Sequence, residues 1–410
     1  MVRELERKRQ SAKFPETAPA ANPVFFRTYS RRTKAGLRET WDEVCDRTLL
    51  GLVELGKLTQ EEAAILDKMQ RNLKAMPSGR WLWVGGTDWI TKPKNFSGAY
   101  NCTSTNLEDW SAFGLMMDLA MMGCGTGAVL EPQFINQLPP IRNQLNVTVK
   151  GEIGSTPVQQ RREYTQTHIE GNNVTIHVGD SREGWVESYQ ALLELSTNEQ
   201  FSAAVEVLVD ISDVRKAGET LNGFGGVANP VKLPGLYQRC ASILNKALGR
   251  QLNSVECCLL IDQAAVTIVA GNIRRSAGMR QGSSEDSLFA DAKDNLWQQD
   301  ENGNWRIDPE RDALRMANHT RVFHRKPTLE ECLNAVRKQY YSGEGAIQWA
   351  GEAVARSNID LLPTQALKVE FLQAYEQGTA KQWLEERYSN LDANELEHRL
   401  ARYGLNPCGK

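Results

Sequence analysis

At 410 residues and 41% apolar content, the chain has the length of two or three domains of ~150 residues and enough hydrophobic material for a large core. Its formal net charge of -3, with acidic and basic residues intermixed, argues against a grip on nucleic acid or an anionic membrane, so small molecules or proteins are the expected partners. Eight scattered cysteines fit neither a secreted disulfide scaffold nor a zinc site, no metal is expected, and no run approaches the ~18 apolar residues of a membrane span, so the expected location is cytoplasmic.

In chain order, residues 1 to about 24 are polar, contain Pro15, Pro19 and Pro23, and read as a loosely ordered arm. From Thr40 to Met76 the pattern is helical, with a capping box at Thr59-Gln60-Glu61-Glu62. Gly51 to Lys57 spells Gly-x-x-x-x-Gly-Lys, but Leu58 stands where a phosphate loop needs Ser or Thr, and no strand precedes it. A second capping box, Thr105 to Glu108, is expected to open a helix carrying Trp110, Phe113, Met117 and Met121 on one face and stopping at Gly123. Gly123-Cys124-Gly125-Thr126-Gly127 then reads as a turn into a buried strand whose glycines let backbone approach a ligand.

Val147 and Val149, then Val174, Ile176 and Val178, alternate as strands of a β-ribbon and helix lobe, with Asp180 to Glu183 placed to cap the next helix. Val205 to Val209 is a strand leading into a glycine-rich loop at 215 to 226, and a helix from Asn253 to Val269 leads to a loop bearing Arg274 and Arg275. Residues 281 to 308 read as a polar surface excursion or hairpin, and Thr328 opens another helix. The final helical stretch, recapped at Asp392, carries Leu396, Leu400 and Tyr403, stops at Gly404 and delivers the chain to Leu405-Asn406-Pro407-Cys408-Gly409-Lys410. Pro407 fixes φ and Gly409 has wide freedom, so Cys408 belongs at the tip of a tight turn. Cys45, Cys124, Cys240, Cys257, Cys258 and Cys332 match no motif and read as packing residues.

The tetrapeptide Asn406-Pro407-Cys408-Gly409 resembles the finger loop of ribonucleotide reductases. Tyr100-Asn101-Cys102, the glycine run 123 to 127, Asp213 to Gly218 through Gly225-Gly226, and Gly271 to Ala277 accompany it in that family's order. Phe25 to Arg31 and Pro77 to Trp83 look most like the monomeric, adenosylcobalamin-dependent, triphosphate-reducing branch.

The resemblance implies that Cys408 carries a thiyl radical generated by adenosylcobalamin, that Asn406 holds the substrate ribose, and that Cys102 is one of two thiols that end as a disulfide, its partner lying beyond residue 410. It implies substrate contacts at Ser78, Asn101 and Gly125, with Arg274 and Arg275 on a loop that reports the effector to the substrate. Asp180, Arg215, Gly225 and Gly226 match the region that binds a deoxyribonucleoside triphosphate effector. In the family a glutamate base stands where this chain has Lys410, and a protonated lysine cannot take that proton. Either the chain has lost turnover, or the reading frame is interrupted after Gly409; interruption is the expectation.

The implied fold is α/β: the first half of a ten-stranded α/β barrel with a helical N-terminal region and an inserted α+β effector lobe. The expected segments are 1–98 (arm and helices), 99–139 (start of the barrel), 140–252 (effector lobe) and 253–410 (rest of the half-barrel). The implied partners are ribonucleoside triphosphates, deoxyribonucleoside triphosphates, a thioredoxin-like reductant and the C-terminal half of the enzyme, the completed protein being a monomer. The rival reading is a non-catalytic nucleotide-binding or regulatory protein derived from a reductase.

Overall fold

The computed structural model describes residues 14–33, 36–202, 204–219, 228–269 and 277–407. The expectations for Gly225, Gly226, Arg274, Arg275, Cys408 and Lys410 lie outside these residues. The chain divides between Asn101 and Cys102 into two compact units.

The first unit is helical: α1 (Asn22–Thr28), α2 (Trp41–Gly56), α3 (Gln60–Arg71) and α4 (Gly79–Val84). Capping boxes open both long helices, at Thr40 with Glu43 and at Thr59 with Glu62, so the box read at Thr59 does open a second helix of this region. The loose arm ends earlier than expected, because Pro23 sits in the first turn of α1, where its missing N–H costs nothing, and Phe14 packs on Phe25 at 5.2 Å. Gly51 is buried inside α2, where a β-carbon would collide with the backbone of Gly86. The near-miss phosphate loop is therefore a helix needing a small residue at a close approach.

The second unit begins with β1 (Cys102–Asn106), α5 (Trp110–Met121), β2 (Gly125–Val129) and α6 (Pro132–Ile135). It continues through a lobe of β3 (Leu145–Lys150), β4 (Gln166–Glu170), β5 (Asn173–His177), α7 (Arg182–Leu195), β6 (Val205–Asp210) and α8 (Leu233–Lys246). Then come α9 (Ser254–Val269), β7 (Gly278–Ser283), α10 (Ser287–Ala290), β8 (Trp297–Gln299), β9 (Trp305–Ile307), β10 (Ala317–Phe323), α11 (Leu329–Ser342) and β11 (Ala346–Trp349). The described chain closes with α12 (Ala350–Ser357), α13 (Gln365–Glu376), α14 (Ala380–Arg387) and α15 (Ala393–Leu400).

Five strands form an all-parallel sheet in the order β1-β2-β7-β10-β11, and a four-stranded sheet, β3-β6-β5-β4, builds the lobe that the sequence suggested as a ribbon. Parallel strands need crossovers that cover both faces, and β2 is accordingly buried at every position. Ala128 packs into a core with α5, α7, α8 and α9, whereas its neighbour Val129 packs with Val322 and α12 to α15. Successive residues of a strand point to opposite faces. The register then assigns Cys102, Gly125, Gly127, Val129, Gln281, Thr320 and Gln348 to one face, and Arg280, His319 and Arg321 to the other. On that second face Arg280 and Asp262 of α9 form a fully buried ion pair at 2.7 Å, and Arg280 also donates to Thr126 O at 2.9 Å, tying α9 to β7 and β2.

Three local expectations are corrected. Thr105 lies in β1, where pairing with Ala128 claims it, and α5 is capped instead by Asp109, whose side chain accepts from Ala112 N. Ser181, not Asp180, caps α7. Residues 281–283 belong to the buried strand β7, so the surface excursion starts after them and contains the β8–β9 hairpin.

Candidate active site on the glycine-lined sheet face

The C-terminal segment crosses the face that carries Cys102, and glycines open its path. A β-carbon on Gly125 would lie 2.8 Å from Cys102 Sγ and 3.4 Å from Pro407 Cγ. One on Gly127 would collide with Leu405 O, and one on Gly404 would collide with Ser104 Oγ. Three absent side chains thus admit the segment to van der Waals distance of β1 and β2.

Side chains from the neighbouring strands hold the segment in register. Gln281 of β7 accepts from Leu405 N at 2.6 Å, Gln348 of β11 donates to Tyr403 O at 2.5 Å, and the two glutamines bond to each other. Both amides are nine-tenths or more buried, and each reaches a backbone group that would otherwise go unpaired in a water-poor setting. Below them the Tyr403 hydroxyl donates to buried Glu131 and accepts from Gln133. Burial beside that carboxylate pushes the phenol up, so it stays a donor.

His324 bonds to Glu131 through Nε2 at 2.9 Å and meets Tyr375 through Nδ1 at 3.1 Å. The bond to Glu131 raises the His324 pKa above its ordinary value. A raised folded-state pKa gives stability that is complete below the unfolded value of about 6.5 and is lost as pH rises through the folded value. Chemical denaturation should therefore show the wild-type chain losing stability above about pH 6.5 by more than His324→Gln does. Equal pH profiles for the two proteins would remove the ion pair from the account.

Cys102 is half-buried at the start of β1 and is disulfide-bonded. The other six described cysteines are free thiols. Among the rest, burial pushes the Cys45 thiol up to about 12 and holds Cys240, Cys257 and Cys258 well above the ordinary range, in keeping with packing roles.

The structure gathers Cys102, Gly125 and the half-buried Asn406 segment in one place. Ser78 and Asn101 belong to the first unit: Ser78 caps α4 by accepting from Trp81 N, and Asn101 accepts from Arg80 at 3.4 Å. Asp180 and Arg215 are brought together in the lobe, where Asp180 accepts from the Arg215 backbone N at 2.9 Å and Nε at 2.8 Å. Arg161 joins them, bridging Asp180 and Glu219, and its bidentate bond holds the Glu219 carboxyl down at about 2. The residues that sequence reasoning missed are Gln281, Gln348, Glu131, Tyr403 and His324. Only Gln348 carried a local signal, a polar side chain between Ile347 and Trp349 in an otherwise apolar strand, which is costly unless it is satisfied by a specific partner.

Residues 149–242 match the family model of the insertion domain of B12-dependent ribonucleotide reductase. The "Adenosylcobalamin-dependent ribonucleoside-triphosphate reductase" of Lactobacillus helveticus is 28% identical over 314 residues, covering 66% of this chain and 42% of that protein. Those of Levilactobacillus brevis and Lactobacillus leichmannii are 29% identical with the same coverage. The chain thus spans less than half the length of these curated relatives. A crystal structure of a B12-dependent, class II ribonucleotide reductase superposes with a TM-score of 0.58 at 22% identity, covering 73% of this chain and 45% of that one, a likeness of fold.

Proposed function

From that likeness to the adenosylcobalamin-dependent, class II ribonucleotide reductases, we propose that the chain supplies the N-terminal part of an enzyme that reduces ribonucleoside triphosphates to 2′-deoxyribonucleoside triphosphates. In this reading the parallel sheet is the first half of a ten-stranded barrel, and the C-terminal segment is its finger loop. The observation that carries it is the meeting of Cys102 and Pro407 over Gly125, which is the geometry needed by a reaction in which one sulfur removes hydrogen from a ribose and a second returns reducing equivalents.

Cys408 takes the hydrogen. A thiyl radical can do so because S–H and activated C–H bonds are close in strength, provided the sulfur is held still and away from water. Gln281, Gln348 and the Glu131–Tyr403 pair supply that rigidity by fixing the chain three and five residues before it. Loss of the 2′ oxygen as water requires two electrons, which Cys102 and a second thiol give up as they join in a disulfide; a thioredoxin-like dithiol then restores them. Adenosylcobalamin, when bound, supplies the initiating radical through homolysis of its cobalt–carbon bond. The cavities lined by residues 145–246, 253–311 and 289–345 do not border Cys102, Gly125 or Pro407, and no residue of this chain is assigned to the corrin.

The lobe is the proposed seat of a deoxyribonucleoside triphosphate effector, with the Arg161 and Arg215 guanidiniums near Asp180 as phosphate ligands. The test is co-expression with the C-terminal part of the Levilactobacillus brevis relative, followed by assay of deoxyribonucleoside triphosphate formation with adenosylcobalamin and a dithiol. Product that depends on all three components supports the reading. A complemented protein that binds labelled deoxynucleotide in equilibrium dialysis but yields no product contradicts it and favours a regulatory role.

A further inference from the structure

On the opposite face of the same sheet, away from the glycine track, lies a cavity of about 240 Å³ closed by the segment after β7, by β10 and by α11. Lys293, Arg315, Arg321 and Lys338 line it against two acids, Asp294 and Glu344. Both acids are engaged: Glu344 meets Lys293 at 2.6 Å and accepts from His319 N, and Asp294 meets Lys338, which also holds Asp291 at 2.8 Å. Arg315 turns its Nε to Asp312 O. Neither acid bonds to Arg321, whose Nε and Nη2 are buried without a hydrogen-bond partner among the described residues. His319 is 6% exposed, stacks on Phe289 at 4.8 Å, and presents a buried Nε2 that also has no partner among the described residues.

Unpaired buried donors on a guanidinium are costly unless an anion meets them. We infer that this cavity is a binding site for a small tetrahedral oxyanion of the phosphate or sulfate class, held by Arg321 and closed from one side by His319. Its volume is below the ~300–1,000 Å³ of pockets that take drug-sized ligands, which favours an inorganic anion over a nucleotide. The inference is independent of the reductase reading, since the site faces the other layer of the sheet and uses none of the residues near Cys102.

His319 couples the site to pH. Burial above all, then Lys293 from the post-β7 segment and Arg280 from β7, keeps the empty-site imidazole neutral against a backbone bond to Phe289; Arg321 and Lys338 share the cavity with it, and the one acid at its backbone, Glu344, is held by Lys293. An anion reverses that balance, so binding takes up a proton and tightens as pH falls. Sulfate is the suitable probe because its own charge stays constant over this range. In calorimetric titration of the whole chain, sulfate should bind saturably and about tenfold more tightly near pH 6 than near pH 8. Arg321→Met should weaken it by at least about tenfold at both pH values, whereas His319→Gln should retain binding and lose the pH dependence. Sulfate addition should also raise the His319 titration midpoint seen by imidazole NMR of the wild-type chain, a readout that survives failure of either variant to fold. Absence of saturable binding, binding untouched by Arg321→Met, or an unmoved His319 midpoint would overturn the site. Competition by a nucleoside monophosphate as strong as that by inorganic phosphate would overturn the assignment of its size.

Discussion

Gly127→Ala is expected to expel the C-terminal segment from the sheet. The added methyl would collide with Leu405 O and stand 3.0 Å from Thr103 O, and both obstacles are backbone, so no side-chain rotation relieves them. Overpacking of this kind costs ~1–3 kcal/mol. Because the segment is tied to the sheet mainly through Gln281 and Gln348, the strain should be released by its detachment rather than by unfolding of the parallel sheet. Hydrogen exchange should then show the Leu405 amide losing protection while β2 and β7 keep theirs. Gln281→Leu approaches the same contact from the other side: it removes the acceptor for Leu405 N and should expose that amide without any steric clash. Gly235→Ala is the control, since a β-carbon there meets nothing within 4 Å and the position is helical; it should be neutral or stabilising by up to about 1 kcal/mol. If Gly127→Ala leaves Leu405 as protected as in the wild type, the segment does not follow this track in solution.

How far the sequence reveals this arrangement depends on whether the information is local. Capping at Thr59, Thr328 and Asp392 is written within four residues of each helix start, and the helices begin there. The capping pattern at Thr105 is equally good locally but loses to pairing with Ala128, a partner more than twenty residues away that no pattern in the segment announces. Asp180 loses the capping role to Ser181 for a related reason, because the Arg215 and Arg161 guanidiniums, both distant in sequence, hold its carboxylate. Polar strands mislead most. Gln281 sits among Arg280, Gly282 and Ser283 and looks like surface, yet its amide is fully buried because it meets a backbone N–H contributed from position 405. The glycines of the 123 to 127 run were legible as a close approach, though what approaches them was not.

Substitution of either sulfur assigned a role should be the most damaging change to the proposed reaction. In the complemented protein, Cys408→Ser and Cys102→Ser should each lower deoxyribonucleotide formation by more than about a thousandfold, some 4 kcal/mol at 1.36 kcal/mol per tenfold. The two losses differ in kind. Serine at 408 has an O–H bond too strong to be exchanged for a ribose C–H, so hydrogen exchange between substrate and solvent should also stop. Serine at 102 leaves that first step intact and blocks delivery of the electrons that remove the 2′ oxygen, so exchange should continue while reduction fails. Cys332→Ser is the control: this thiol is half-buried and lies at the start of α11, outside the residues that hold the terminal segment, and its loss should leave turnover within about twofold. Alkylation mapped by mass spectrometry adds a measurement independent of activity. Without reductant Cys102 should resist labelling because it is paired, and after dithiol treatment it should label ahead of Cys240, Cys257 and Cys258, whose burial keeps them protonated. Wild-type turnover by Cys102→Ser would refute the redox role of the sulfur that meets Pro407 over Gly125, since no other described cysteine lies on that glycine.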